Sequence, residues 1–136
     1  MTERRWVVDT NVLLSRLLCP GGVAAQAVDR AVGSGVLLVS DDSLSELIEV
    51  LDRSKFDRYL SRDDRRRFVE LLGGVARLIP IARQVQACRD PRDDKFVDVA
   101  VNGEGAAILT GDRDLLELDP FHGVRILNPP AFLTWD

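Results

Sequence analysis

The sequence predicts an α/β protein in which a central parallel sheet of about five strands is flanked by helices. Short apolar segments of strand length alternate with segments whose apolar residues recur at helical spacing. Gly, Pro, Ser and Asp cluster at the boundaries between them, where they end or cap such elements. Because strands that alternate with crossover helices run parallel, we expect one sheet with helices on both faces.

The first half of the chain predicts two strands and three helices. Glycine- and proline-containing turns end the first two helices, and serines precede the third. The second strand is wholly apolar, which indicates burial on both faces of the sheet. The third helix carries apolar residues at positions i, i+3, i+4 and i+7. In chain order, the predicted elements are strand 6–8, helix 12–18, helix 23–32, strand 36–39 and helix 44–53.

The second half predicts three more strands. Gly73-Gly74 is expected to end its first helix, and Pro80 makes the next strand an edge or strand-end candidate. A turn at 90–94 leads into the next helix, and Pro129-Pro130 opens a last helical turn. In chain order, the predicted elements are helix 62–72, strand 76–81, helix 95–102, strand 106–110, helix 113–118 and strand 124–127.

Length and composition are typical of one compact domain, which we expect to cover residues 1–136. The net charge of −4 argues against a surface that attracts nucleic acid everywhere. Cys19 and Cys88 show no paired metal-binding spacing, so a reduced, cytoplasmic protein is the simplest expectation. No apolar stretch approaches the roughly 20 residues that span a bilayer, and no membrane association is expected.

Two aspartates at strand ends are the first candidates for chemistry. Asp9 follows the first predicted strand and Asp112 follows the fourth, and a helix comes after each. If both strands are central, these carboxylates meet at the rim where open α/β sheets bind ligands. Carboxylates brought together repel unless a cation neutralises them, and oxygen ligands suit Mg²⁺ or Mn²⁺. Asp9 alone could equally be a helix N-cap.

Two helices offer further acids. Asp94 precedes the helix at 95–102 and shares a face with Asp98, an i, i+4 arrangement that is mildly destabilising unless it is used or solvated. Glu46 falls near the margin of the apolar stripe of its helix, whereas Glu49 falls on the polar face, so Glu46 is the better inward candidate. A cap or a solvated charge explains each acid alone, and the interpretation depends on the whole set.

Four segments resemble a known family, in its order and over nearly the whole chain. They are Val8-Asp9-Thr10-Asn11-Val12-Leu13, Glu46-Leu47-Ile48-Glu49-Val50-Leu51 with Lys55-Phe56, Asp90-Pro91-Arg92-Asp93-Asp94-Lys95-Phe96, and Leu109-Thr110-Gly111-Asp112-Arg113-Asp114-Leu115-Leu116. On these motifs the sequence is similar to PIN domains, and more narrowly to the VapC-like toxins of prokaryotic toxin–antitoxin pairs. The resemblance implies a three-layer fold and a Mg²⁺- or Mn²⁺-dependent ribonuclease whose clustered acids hold the metal.

The resemblance also implies the residues of the site by position. The implied catalytic set is Asp9, Glu46, Asp94 and Asp112, of which Asp9, Asp94 and Asp112 are the implied metal ligands. The implied supporting residues are Asn11, Thr110, Asp98 and Asp114, the last being a second candidate for the fourth acid. Asp93 competes for the third position, and Asp94 is preferred because the apolar Val97 and Ala100 follow it as the motif expects.

A basic segment between Arg53 and Arg67 is the candidate RNA contact. Lysine and arginine bind phosphates whatever the base sequence, although the aspartates among them also fit a solvated helix face. The contact candidates are Arg53, Lys55, Arg62 and Arg65. The resemblance further implies a cognate antitoxin, and any exposed apolar surface on helices 23–32 and 44–51 could pair with that protein or form a homodimer.

Two other functions compete with the ribonuclease. Asp9-Thr10-Asn11-Val12 distantly resembles the aspartyl-nucleophile motif of haloacid-dehalogenase-like phosphatases, but Asn11 stands where that motif has its acid–base residue. A catalytically silent RNA- or protein-binding module on the same fold is the other alternative. Retention of all four implied acids argues against a silent module.

Overall fold

The computed structural model describes residues 3–135. The strands are β1 (Arg5–Val8), β2 (Val36–Val39), β3 (Ala76–Leu78), β4 (Ala107–Leu109) and β5 (Arg125–Leu127). The helices are α1 (Thr10–Leu18), α2 (Val23–Ser34), α3 (Asp41–Leu51), α4 (Arg62–Val75), α5 (Asp94–Asn102), α6 (Arg113–Leu116) and α7 (Pro129–Thr134), with short 3₁₀ turns at Ser54–Phe56 and Pro91–Asp93.

The five strands form one parallel sheet in the order β3-β2-β1-β4-β5. This confirms the predicted fold class. The chain moves outward from β1 through β2 to β3, and then crosses to the other side of β1 for β4 and β5. The order therefore reverses between β1 and β4, and a crevice opens there at the carboxyl ends of the strands.

Alternating side chains of the strands divide the core into two layers. Trp6 and Val8 of β1 pack in a cluster with buried residues of α1, α2, α3, α4 and α7. Val7 packs on the opposite face with Phe96, Val99 and other residues of α5 and α6. This alternation is the period of a β-strand, and it places helices on both faces as predicted. Within residues 3–135, no helix is long and apolar enough to cross a membrane.

The structure moves several predicted boundaries. Helix α4 continues past Gly73-Gly74 to Val75 and leads directly into β3 at Ala76. Glycine within a helix costs only about 1 kcal/mol relative to alanine, so two glycines need not end it. Helix α3 begins at Asp41, three residues before the prediction, where Ser40 and Ser43 form a capping box. Strand β3 is an edge strand, and it ends at Leu78 before Pro80, as proline at a sheet edge allows.

Candidate active site

A cleft of about 480 Å³ lies beside the ends of β1 and β4. Its lining contains four acidic side chains, three basic ones and several small polar ones. The acids are Asp9, Glu46, Asp93 and Asp112, and the basic residues are Arg53, Lys55 and Arg92. Three of the four predicted acids, Asp9, Glu46 and Asp112, therefore line one cleft. Asp93 lines it in place of the predicted Asp94.

Asp9 joins β1 to α1 at the floor of this cleft. One carboxylate oxygen accepts a hydrogen bond from the Val12 backbone N–H at 2.8 Å, which caps α1, and the other accepts from the Thr110 hydroxyl. The residue is 4% exposed. Burial raises the pKa of Asp9; the two hydrogen bonds oppose this shift, while the charges of Asp112 and Glu46 add to it. A carboxylate in this position is therefore costly to ionise unless a cation lies nearby.

Thr110 connects the two strand-end aspartates. Its hydroxyl donates to Asp9 and accepts from the Asp112 backbone N–H at 3.0 Å. The Asp112 carboxylate caps α6 by accepting from the Asp114 N–H at 2.8 Å. Both aspartates thus follow parallel neighbouring strands and are fixed by backbone groups. The resemblance implied a supporting role for Thr110, and in the structure its hydroxyl contacts both Asp9 and Asp112.

The third acid of the cleft is Asp93, and the prediction of Asp94 is corrected accordingly. Burial, followed by the charge of Asp112 and a hydrogen bond with it, raises the pKa of Asp93 to about 7. The Asp94 carboxylate instead accepts hydrogen bonds from the backbone N–H groups of Ala87 and Cys88 at 3.1 and 2.9 Å. Asp94 therefore anchors the loop before α5, and the helical spacing of the apolar residues could not reveal this.

Asp98 belongs to the same anchor rather than to the cleft. Its carboxylate accepts from the Val85 N–H at 2.6 Å. The i, i+4 pair of Asp94 and Asp98 is thus occupied by loop N–H groups, which explains how two neighbouring carboxylates are tolerated on one helix face. Asp114 also lies outside the cleft lining, 3.7 Å from Arg89 in an ion pair. Asn11 does line the cleft and is exposed.

Glu46 extends from α3 into the cleft, as the helical-wheel argument indicated. One of its carboxylate oxygens accepts from the Thr10 hydroxyl, and the other accepts from the Lys95 ammonium group at 3.1 Å. Sequence reasoning missed both partners. Thr10 lies between Asp9 and Asn11, which are stronger candidates for chemistry by residue type. The only feature that could have indicated Lys95 is its place in the first turn of α5, where a positive charge is unfavourable.

The four predicted RNA contacts fall on different surfaces. Arg53 and Lys55 line the acidic cleft, whereas Arg62 is exposed outside it and pairs with Asp52 at 3.5 Å. Arg65 is buried, and its guanidinium donates to the Asp57 carboxylate at 2.9 Å and to the Leu60 carbonyl at 3.0 Å. The prediction that Arg65 contacts RNA is therefore corrected, because its donors serve the fold.

Arg65→Ala is expected to lower the free energy of unfolding by about 1–3 kcal/mol, because it leaves the Leu60 carbonyl without its partner. Arg66→Ala is the matched control one position away. Arg66 is exposed and pairs with the exposed Asp63 three residues earlier, so its loss should change stability by less than about 0.5 kcal/mol. Urea denaturation of the two variants measures the difference. Equal stability of the two would contradict a structural role for Arg65.

The chemistry of the cleft fits a hard divalent cation. Asp9, Asp93 and Asp112 supply carboxylate oxygens. Burial and the charges of neighbouring acids raise the pKa of Asp9 and of Asp93, so a bound cation would favour their ionised forms. Within residues 3–135, no three Asp, Glu, His or Cys side chains are already arranged to hold one metal ion. Mg²⁺ does not require such an arrangement, because proteins often bind it through one or two carboxylates while it keeps several waters.

Comparison with known proteins gives a family and a fold. The family model described as "PIN domain" matches residues 5–114. An uncharacterized protein of Methanocaldococcus jannaschii is 31% identical over 114 residues, which cover 82% of this chain and 73% of that protein.

Solved structures with the same fold are far more distant in sequence. VapBC2 from Rickettsia felis, bound to a DNA fragment from the promoter, matches with a TM-score of 0.64 at 9% identity, over 91% of this chain and 98% of that one. VapC20 from Mycobacterium tuberculosis, described as a Sarcin-Ricin loop cleaving toxin, matches with a TM-score of 0.57 at 17% identity, over 88% and 98%.

Proposed function

Because this chain belongs to the PIN domain family, we propose that it is a divalent-metal-dependent endoribonuclease and the toxin component of a toxin–antitoxin pair. The observation that carries the proposal is the group of Asp9, Asp93 and Asp112 in one cleft at the point where the strand order reverses. Mg²⁺ or Mn²⁺ is the proposed cofactor.

Each side chain of the cleft has a proposed part in phosphodiester hydrolysis. Asp9, Asp93 and Asp112 would hold the metal directly or through water, and Thr110 keeps Asp9 in place. When bound, the metal would polarise the phosphate and activate a water for attack. Arg53, Lys55 and Arg92 lie in the lining of the same cleft, where their charges would bind the phosphates that flank the cut. RNA is the proposed substrate, as the resemblance to VapC-like toxins implies.

The aspartyl-phosphate alternative has less support from the geometry. Both carboxylate oxygens of Asp9 already accept hydrogen bonds, and the side chain is buried beneath the cleft surface. An attacking carboxylate must reach phosphorus itself, whereas a carboxylate that holds a metal can act through a water bound to that metal. A catalytically silent binding module would differ from the proposed nuclease only in not cleaving RNA. Growth and RNA cleavage of wild type and Asp112→Asn distinguish the two functions.

Expression of the wild-type chain alone is expected to slow growth of a host cell, and Asp112→Asn should relieve the effect. The substitution removes one charge from the metal site, and its amide oxygen can still accept the N–H that caps α6. Growth curves at matched protein levels provide the measurement. Equal toxicity of wild type and variant, with RNA cleavage intact in both, would show that the chemistry does not use this cleft.

An apolar groove of about 680 Å³ is the proposed binding site of the antitoxin. It lies between α1, α2 and α4, and Leu18 lines both this groove and the acidic cleft. Tyr59 and Leu71 in its lining are 67% and 64% exposed. An apolar segment seated here would continue into the cleft, where a basic side chain could take the place of the metal. A homodimer stays a separate prediction, which light scattering would test.

Leu71→Asp is expected to leave the chain toxic but to prevent an antitoxin from protecting the cell. The side chain is far out on α4, so the charge should leave the fold and the cleft intact while it disrupts an apolar contact in the groove. In cells that co-express a candidate antitoxin which protects against the wild type, the variant should remain toxic. Full protection against Leu71→Asp would place the partner elsewhere.

A further inference from the structure

We propose that Lys95 is a built-in counter-ion of Glu46 beside the cleft, which takes the place of a second metal ion and limits the protein to a single-metal site. The inference rests on the proposed function, and it concerns how many metal ions that site holds. Clustered acids can hold either one ion or a pair about 3.5–4 Å apart. The contacts of Glu46 favour the first case in this chain.

An ammonium group already serves as the counter-ion of Glu46. Its two carboxylate oxygens accept from Thr10 on α1 and from Lys95 on α5, so the side chain is fixed from both sides. The Lys95 ammonium group also donates to the Arg92 carbonyl at 2.5 Å. A metal that approached Glu46 would be repelled by this ammonium group, which two acceptors hold in place.

The environment of this ion pair makes it stronger than a surface pair. The side chains of Lys95 and Glu46 are 19% and 28% exposed. Solvent therefore screens their attraction less than it screens the exposed pairs on α4. The Lys95 side chain also lies 5.7 Å from the centre of the Phe96 ring, within the range of a cation–π contact.

The position of Lys95 on its helix indicates a role beyond helix stability. It is the second residue of α5, and the amino-terminal turn of a helix disfavours positive charge. It lies next to Asp94 and two positions from Asp93, one acid of the proposed metal site. Its ammonium group pairs with Glu46, which lines the cleft, and thus neutralises that acid from the side of α5.

The test is a Mn²⁺ titration, followed by calorimetry and by electron paramagnetic resonance, on wild type, Lys95→Met and Lys95→Arg. Wild type should bind one ion. Lys95→Met frees Glu46 and should bind a second ion, with the spin–spin coupling of a close Mn²⁺ pair. Lys95→Arg keeps the positive charge and should bind one Mn²⁺ ion, as the wild type does. If Lys95 acted only through packing of its methylene chain, Lys95→Met would also bind one ion. Circular dichroism verifies that each variant is folded.

Each outcome of this titration separates the two proposals. Two ions on the wild type, or a single ion on folded Lys95→Met, would overturn the role of Lys95 and leave the nuclease proposal standing. If Lys95→Met does not fold, Lys95→Gln replaces it and should also bind two ions; a single ion on that variant overturns the role. No Mn²⁺ on the wild type would defeat the proposed metal site itself.

Discussion

Asp9→Asn is expected to abolish metal-dependent RNA cleavage while leaving the metal-free protein at least as stable as the wild type. Burial raises the pKa of Asp9, so its ionised form is costly in the absence of a cation. An asparagine oxygen can still accept from Val12, and its amide can donate to Thr110. The cap of α1 and a contact with Thr110 are therefore kept, but the cleft loses a charged metal ligand.

The expected loss of metal affinity in Asp9→Asn can be estimated from substitutions in other metal sites. Loss of a partner behind a ligand already costs about 10- to 100-fold in metal affinity or activity, so loss of the ligand charge should cost at least about 100-fold. Mg²⁺ at a hundred times its dissociation constant should stabilise the wild type by about 2.7 kcal/mol and the variant by much less. Thermal melts with Mg²⁺ and with a chelator measure this difference.

Asp9→Ala provides the control for the helix cap. It removes the acceptor of the Val12 N–H, and loss of such a cap costs about 0.5–2 kcal/mol whether or not metal is present. If Mg²⁺ raised the melting temperatures of wild type and Asp9→Asn equally, Asp9 would not be a metal ligand.

Asp93→Ala and Asp94→Ala should have opposite effects on activity and stability. Asp93 lies in the cleft beside Asp112, so its loss is expected to lower RNA cleavage by about 100-fold or more. Its removal also relieves repulsion, and the metal-free protein should not be destabilised. Asp94 accepts two loop N–H groups, so its loss should cost about 1–3 kcal/mol of stability and affect cleavage less.

These neighbouring positions make a matched pair, because the substitutions are identical and both residues are half-buried. RNA cleavage at a fixed Mg²⁺ concentration and urea denaturation in a chelator give the two measurements. A greater loss of cleavage in Asp94→Ala, together with unchanged stability, would return Asp94 to the metal site and place Asp93 outside it.

The architecture was predictable because it depends on patterns of many residues. Five apolar segments separated by helical ones specify a parallel sheet, and Asp9 and Asp112 each follow such a segment. The choice between Asp93 and Asp94 was not predictable, because it depends on which carboxylate finds the N–H groups of a loop with no regular pattern. Periodicity identifies the face of a helix, but it does not specify the contacts of the turn before it.

Sequence patterns also did not specify which arginines are buried. Arg65 and Arg66 are adjacent and identical in type, yet one is buried against the Leu60 carbonyl and the other is exposed. The strand order, which places β1 and β4 side by side, was also left open by the alternation of elements. The strand order depends on long-range pairing, and the contacts of Arg65 and Asp94 depend on how irregular loops fold back on neighbouring helices. Local sequence patterns constrain both only weakly.

The most direct test of the central claim is cleavage of a total RNA pool by the purified wild-type chain, titrated with Mg²⁺ or Mn²⁺ after treatment with a chelator. Asp9→Asn serves as the control for contaminating nuclease. We expect no cleavage in the chelator, a saturable return of cleavage as metal is added, and no comparable return in the variant. Cleavage that persists undiminished in the chelator, or that Asp9→Asn retains in full, would contradict the proposed metal-dependent cleavage.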